Sequence, residues 1–189
     1  MVKDFILASQ SPQRRYLLEQ IGYIPKLVEP ANIDETPINN EKPTSYIKRI
    51  VKNKAFYVFE KHKNNVVLSS DTVIVCGTKI IQKSKNDEEQ INVMKMLSGK
   101  THRVITGVCV INKEGKPSLK INVTKIKMKK LTDTEIRDYV NSKEWCGCAG
   151  YKIEGLLGGF VKQIIGSYSG VVGLPLFETR NLLLGAGVF

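Results

Sequence analysis

Strand-like and helix-like segments alternate along this sequence of 189 residues, which predicts an α/β protein. Two observations carry the expectation. Short apolar runs at 5–8, 66–68, 73–75 and 103–111, β-branched at 66–68 and 73–75, have the length and composition of buried strands. Between them apolar residues recur at helical spacing, most clearly over 44–62. The length suits one domain, residues 1–189, or one elongated domain with two lobes around a cleft, with ample chain for a core.

Residues 5–8 read as the first strand. Ser11 as N-cap and Pro12 as first helical residue then open a helix that buries Leu17, Leu18 and Ile21 and stops at Gly22. Arg14 and Arg15 fall in its first turn, where the helix macrodipole disfavours cations. Either they point into solvent at a small cost, or an anion binds where guanidinium, serine hydroxyls and free backbone N–H groups converge. Next, residues 30–37 form a proline-bounded turn carrying Asp34 and Glu35. These acids are either solvated or a source of carboxylate for a hard cation such as Mg²⁺. The helix over 44–62 has an apolar stripe of Ile47, Ile50, Val51, Ala55, Val58 and Phe59, with Lys52 and Lys54 off it or at its margin.

Residues 66–75 carry the sharpest chemical signal. Ser69, Ser70, Asp71 and Thr72 separate two apolar runs and are too polar for a core strand. A carboxylate at the edge of an apolar sheet is costly unless its charge is used, by a metal ion or by a water to be activated. Gly77 allows a turn, and Ile80 and Ile81 lead to Lys83, a cation able to return to the same edge. Taken alone, Asp71 reads more readily as a turn cap and Lys83 as a solvated lysine; the phosphate-type features elsewhere in the chain shift the reading toward a site.

Asn86 or Asp87 starts another helix, with Asp87 and Gln90 at capping-box spacing, Ile91, Met94 and Leu97 on its buried side, and Gly99 at its end. Residues 103–111 are apolar on both alternating sets, as in a central strand. A turn at 112–115 leads to a strand near 119–129, whose change of phase suggests a bulge or an edge position, with Lys125, Lys127 and Lys129 exposed on one face. Thr132 and Glu135 form a second capping box. Residues 145–155 are a glycine-rich loop suited to close approach to a ligand. A last strand at 160–165, a turn at 166–170 and a terminal helix ending near Gly185 complete the chain.

Composition sets the class. Apolar content of 42% and charged content of 25% are ordinary globular values. No apolar run approaches the ~18–20 residues of a membrane span, and the opening residues are too short an apolar segment for a secretory signal. A soluble cytoplasmic protein is expected. Cys76, Cys109, Cys146 and Cys148 make no disulfide framework for a chain this large, and Cys146-Gly147-Cys148 lacks zinc-ribbon spacing. His62 and His102 join no ligand cluster. The net charge of +11 favours an anionic partner, a nucleotide or a nucleic acid, but the lysines are spread rather than gathered.

Several segments together resemble the Maf (septum formation inhibitor) family of nucleoside triphosphate pyrophosphatases. These are Leu7-Ala8-Ser9-Gln10-Ser11-Pro12 with Arg14 and Leu17-Leu18; Asp34-Glu35-Thr36; Lys54-Ala55; and Ser70-Asp71-Thr72 with Lys83. Leu97-Ser98-Gly99 with His102, Thr106-Gly107-Val108, residues 151–155, and Val171-Val172-Gly173-Leu174-Pro175-Leu176 follow in the family's order. The resemblance spans essentially the whole chain. It implies an elongated mixed β-sheet flanked by helices with a central cleft, similar to inosine triphosphate pyrophosphatases. It also implies a divalent cation (Mg or Mn), a nucleoside triphosphate substrate cut to monophosphate and pyrophosphate, and a homodimer. The family's catalytic acid falls on Asp71, its phosphate-facing lysines on Lys54 and Lys83, and its acidic-loop glutamate on Glu35. The phosphate loop falls on Ser9 and Arg14, with Ser11 beside them.

The departures are Gln13 where arginine is common, Glu154 where glutamine is usual, and a glycine loop one residue short before Tyr151. They fall where the base is read or the metal ordered, so Thr72 and Glu154 are candidates for the base side. Cys148-Ala149-Gly150 with Glu154 is like the branch acting on 7-methylated guanosine triphosphate, whereas Ser70-Asp71-Thr72 is like the branch preferring dTTP and UTP. Base preference stays open at this point. The chemistry fits the residues: Asp71 orients and deprotonates a water, with Glu35 and Asp71 holding the metal and Arg14, Lys54 and Lys83 meeting the phosphates. Two rivals are a nucleic-acid-binding module, which lacks a basic recognition helix here, and a non-catalytic cell-division regulator, which the family's older name suggests.

Overall fold

The computed structural model describes residues 4–189; the first three residues of the N-terminal segment considered above lie outside them. Seven strands form one mixed sheet. In chain order the elements are β1 (Phe5–Leu7), α1 (Pro12–Gln20), β2 (Leu27–Val28), α2 (Pro43–Lys61), β3 (Val66–Cys76), β4 (Lys79–Ile81), α3 (Asp87–Leu97) and β5 (Thr101–Ile111). Then come β6 (Pro117–Met128), α4 (Asp133–Asn141), a 3₁₀ turn (Leu156–Phe160), β7 (Val161–Ile165), α5 (Tyr168–Val172) and α6 (Leu176–Gly185). The sheet order is β2-β1-β3-β5-β6-β7, with β4 also on β3.

The polar segment within residues 66–75 corrects one expectation. Ser69 to Thr72 do not interrupt the strand: β3 runs unbroken, and β5 pairs antiparallel with it from Val67↔Ile111 to Val75↔Arg103. The opposite edge of β3 is where the break lies. There β1 pairs in parallel with Val66, Val67 and Leu68, and β4 pairs antiparallel with Ile74, Val75 and Cys76. Between those two partners one edge of the strand is left open, and the serines, the acid and the threonine occupy that gap. A polar run survives in the middle of a sheet because a neighbour is missing on one side and each side chain has a partner.

Helices cover both faces. On one, α2 lays Tyr46, Ile47, Ile50, Val51, Ala55 and Val58 over Val67, Val73, Ile105 and Cys109. The glycine at 107 permits this: a Cβ there would sit 2.5 Å from the Ile47 side chain. On the other face, α1 and α6 bury Leu17, Leu18, Leu182 and Leu183 against Phe5, Leu68 and Val108. Further along the same face α3 and α4 bury Met94, Leu97, Ile136 and Tyr139 against Ile74, Val104 and Ile126.

Smaller corrections follow the same local physics. Asn86, not Asp87, caps α3, its side chain accepting from Glu89 N while Glu89 accepts from Lys85 N; Gln90 is therefore turned into the core. The Thr132–Glu135 capping box forms as expected. Strand β6 is bulged at Lys127/Met128, and β7 covers only its Lys125–Met128 end. Phe160 belongs to the 3₁₀ turn, and the turn expected at 166–170 already contains the start of α5, capped by Ser167. All four cysteines are free. No helix among the described residues is long and apolar enough to cross a membrane.

Candidate active site

A cavity of about 970 Å³ opens at the uncovered edge of β3. Ser9, Ser11, Arg14, Glu35, Lys54, Asp71, Thr72, Lys83 and Glu154, scattered along the sequence, all line it. The structure therefore brings these nine residues together, but not Arg15 or Asp34: Arg15 pairs with Glu19 on the exposed side of α1, and Asp34 accepts from Thr36 N within its own turn.

Alternation along β3 sends neighbouring side chains to opposite faces. Ser69 and Asp71 turn toward α2: the Ser69 hydroxyl donates to Val51 O (2.6 Å), and Asp71 Oδ1 accepts from Lys54 Nζ (2.7 Å). Lys54 is buried, not marginal as its place in the helical stripe suggested. Its ammonium also meets Glu35 Oε1 at 2.9 Å, so one cation joins two carboxylates from different segments. Glu35 is presented by a loop tied down to α2. The Tyr46 phenol donates to Glu35 O (2.9 Å), and Arg49 donates to Thr36 O and to both oxygens of Glu41. Burial, together with the charges of Asp71 and Glu35, pushes Tyr46 up to about 12, so it stays a neutral donor.

Ser70 and Thr72 face the other way. The Ser70 hydroxyl lies 2.9 Å from Gly107 O and 2.8 Å from Gly173 O, while Thr106 Oγ1 donates to Gly170 O (2.7 Å) and stands 3.0 Å from Thr72 Oγ1. Gly173 O also accepts from Arg14 Nε (2.9 Å), and Arg14 Nη1 donates to Ser9 Oγ (3.0 Å). The guanidinium is thus fixed against the start of α1. Burial holds it below its ordinary value, against the opposing pull of Asp71 and Glu35, yet a guanidinium keeps its charge at neutral pH. Ser11 occupies the N-cap position without capping: its hydroxyl turns to Gln13 Oε1 (3.3 Å), and its own N–H donates to Ser9 Oγ (3.2 Å).

Lys83 reaches the cavity from the opposite side, paired as a β-bridge with Ala149 of the glycine-rich loop. That loop is pinned from behind. Tyr151 OH lies 2.6 Å from His102 Nε2, and Lys152 N donates to Tyr139 OH. Cys146, Cys148, Lys152 and Glu154 line the wall; burial lifts the Cys148 thiol to about 11, leaving it neutral.

Sequence reading missed Tyr46 and gave Gly173, quoted only within a motif, no role. Tyr46 shares a helical row with Ile50 and Lys54, a spacing that was available as a signal. Gly173 acts through its carbonyl, which leaves no side-chain trace.

As to a cation, no group of three or more His, Cys, Asp or Glu side chains among the described residues is placed to hold a metal. Asp71 and Glu35, already sharing one ammonium, are instead a pair of hard oxygen donors. That suits Mg²⁺ or Mn²⁺, which take one or two carboxylates and complete their shell with water and phosphate oxygens.

A family model described as Maf-like protein matches residues 4–186. The chain is 42% identical over 188 residues to a dTTP/UTP pyrophosphatase of Zymomonas mobilis, covering 99% of this chain and 93% of that protein. To a dTTP/UTP pyrophosphatase of Caulobacter vibrioides it is 43% identical over 183 residues, covering 96% and 95%. A Mycobacterium abscessus structure described as nucleoside-triphosphatase / dITP/XTP pyrophosphatase aligns with 68% of this chain and 75% of its own, at 12% identity and a TM-score of 0.43.

Proposed function

The chain belongs to the Maf-like protein family, and from that premise we propose that it is a nucleoside triphosphate pyrophosphatase preferring dTTP and UTP. The observation that carries the reading is the Asp71–Lys54–Glu35 group on the wall of one cavity with Ser9, Arg14 and Lys83. The base preference follows the names of relatives about 42% identical over nearly the whole chain.

Hydrolysis between the α- and β-phosphates needs an acceptor for the water proton and positive charge on the departing pyrophosphate. Asp71 is the acceptor: its carboxylate stands at the open strand edge, oriented by Lys54, with Glu35 beside it. Ser9 and Ser11 hydroxyls and Arg14 bind phosphate oxygens at the start of α1, and Lys54 and Lys83 add charge from the two other sides. The cations held in place before substrate arrives, Arg14 by Gly173 O and Lys54 by its two carboxylates, need no reorganisation to meet the phosphate charge. Asp71 and Glu35 would hold the divalent cation, which when bound supplies Lewis-acid neutralisation of phosphate charge. Thr72 and Glu154 border the base side. The chain works as a homodimer, as its family resemblance implies, in the cytoplasm, where four free thiols suit a reducing compartment.

The test is product identity. Purified protein, Mg²⁺ or Mn²⁺ and a panel including UTP, dTTP, GTP and 7-methyl-GTP should yield monophosphate plus pyrophosphate, fastest from UTP and dTTP. Orthophosphate as the sole phosphorus product, or no product from any substrate, overturns the reading. Turnover confined to 7-methyl-GTP overturns the base preference alone.

A further inference from the structure

Gln90 is a fully buried polar side chain in α3 whose amide is used at both ends. Its Nε2 donates to Gly150 O at 2.6 Å, and its Oε1 accepts from Ser84 Oγ at 2.8 Å. Gly150 O can only accept, so the amide orientation is set by chemistry, and the rotatable Ser84 hydroxyl adapts to what remains. Both partners flank site residues. Ser84 follows Lys83, and Gly150 follows Ala149, the residue with which Lys83 forms its β-bridge. The side chain thus spans, from the core side, the junction that the backbone bridge closes from the cavity side. Gly150 has φ +78°, and a Cβ there would lie 2.8 Å from Ile74 Cδ1, so the loop rests tightly on β3 just past the open edge. Packing of α3 asks for an apolar residue at this position, since its neighbours Met94 and Leu97 lie in an apolar cluster. The amide has a different use.

We infer that Gln90 is a positioning residue, locking the Lys83 segment to the glycine-rich loop so that the far wall of the cavity is rigid before substrate enters. The catalytic consequence rests on the pyrophosphatase reading; the structural one does not. Lys83 is exposed at the cavity mouth, and a lysine on a flexible stem places its charge only as well as its backbone is held.

Gln90→Met keeps length and packing and removes the amide. Hydrogen–deuterium exchange should show amides of residues 146–151 and of residues 82–84 each opening about tenfold faster, since each segment loses one hydrogen bond to the amide, while β5 is unchanged. With UTP, kcat/KM should fall by about ten- to a hundredfold, as for a displaced group that meets the phosphates in both the bound substrate and the transition state. In a Lys83→Ala background the same substitution should cost almost nothing further. Ser84→Ala, which removes one of the two bonds, should shift exchange in the same direction by less. It serves as the measurement if Gln90→Met fails to fold. Unchanged loop exchange in both variants overturns the inference, as does a loss that multiplies fully with that of Lys83→Ala. If wild-type protein cleaves no nucleotide, the functional reading falls, and the exchange experiment still decides the role of Gln90.

Discussion

Asp71 is 8% exposed in the middle of a strand, and what makes it tolerable is also what makes it useful. Lys54 compensates its charge and aims its carboxylate at the open edge, while Glu35 shares the ammonium from the solvent side. Asp71→Asn keeps the shape and leaves Lys54 paired with Glu35. Turnover should drop by about 10²–10⁴-fold, the usual share of a general base, with the melting temperature held within a few degrees; near-wild-type turnover would remove Asp71 from the mechanism. Lys54→Met does the opposite, leaving carboxylates without their cation. Urea unfolding should show a loss of up to about 3–5 kcal/mol, moderated by the exposure of Glu35. A second residue, behind the glycine-rich loop, couples folding stability to pH. Burial holds His102 at about 4, below its ordinary 6.5, so the imidazole is neutral in the folded protein; its Nδ1 meets no hydrogen-bond partner among the described residues. Between those values the unfolded chain binds a proton that the folded chain does not, so stability falls as pH drops through the window, by at most on the order of 3 kcal/mol. Comparing unfolding free energies at about pH 7 and about pH 4.5 for wild type and His102→Gln isolates this contribution. An identical pH slope in the two proteins would exclude it.

At the scale of elements, the decisive contact is between α2 and β5. Ile47, Val51 and Lys54 lie along one row of α2, and the first two would crowd a Cβ at position 107, at 2.5 and 3.1 Å. Gly107 is the register partner of Asp71. The missing side chain thus lets the helix approach just where its lysine must meet the acid. Gly107→Ala should cost about 1–3 kcal/mol by overpacking and lower kcat through the displaced lysine; unaltered stability and activity would show that α2 has room to move. This also explains what could be read from the sequence. Helices announced themselves through apolar stripes and caps, as with Thr132 and Glu135, and strands through β-branched runs. What misled was polarity inside β3. Composition alone says that Ser69-Ser70-Asp71-Thr72 breaks a strand. Continuity comes from pairing with β5, forty residues or so downstream, a long-range fact that no local window contains. Lys54 was misplaced for a related reason: a helical stripe shows which face is apolar, and a lysine buried on it becomes sensible only beside the acid it meets.

At the scale of the whole molecule, a gap between β1 and β4 turns a sheet edge into a cleft, and chain connectivity carries a cation to it from three directions. Arg14 comes from α1, Lys54 from α2 and Lys83 from beyond β4. The residue types of the site were visible in the sequence; that α5 would deliver Gly173 O to both Arg14 and Ser70 was not, since a carbonyl has no sequence signature. The arrangement predicts ligand-linked stability. Because the cations belong to separately packed elements, a bound triphosphate bridges them, and a non-hydrolysable UTP analogue with Mg²⁺ at about a hundred times its Kd should add about 2.7 kcal/mol. For a chain of this size that raises the melting temperature by roughly 5–10 °C. UMP at the same concentration lacks the phosphates to span the cleft and should raise it far less, and Arg14→Ala or Lys83→Ala should each cut the analogue's effect. The overall charge of +11 alone would instead attract any polyanion. If duplex DNA or inorganic polyphosphate stabilises the protein as well as the analogue does, and both substitutions leave the shift intact, the charge is diffuse and the cleft is not where the triphosphate binds.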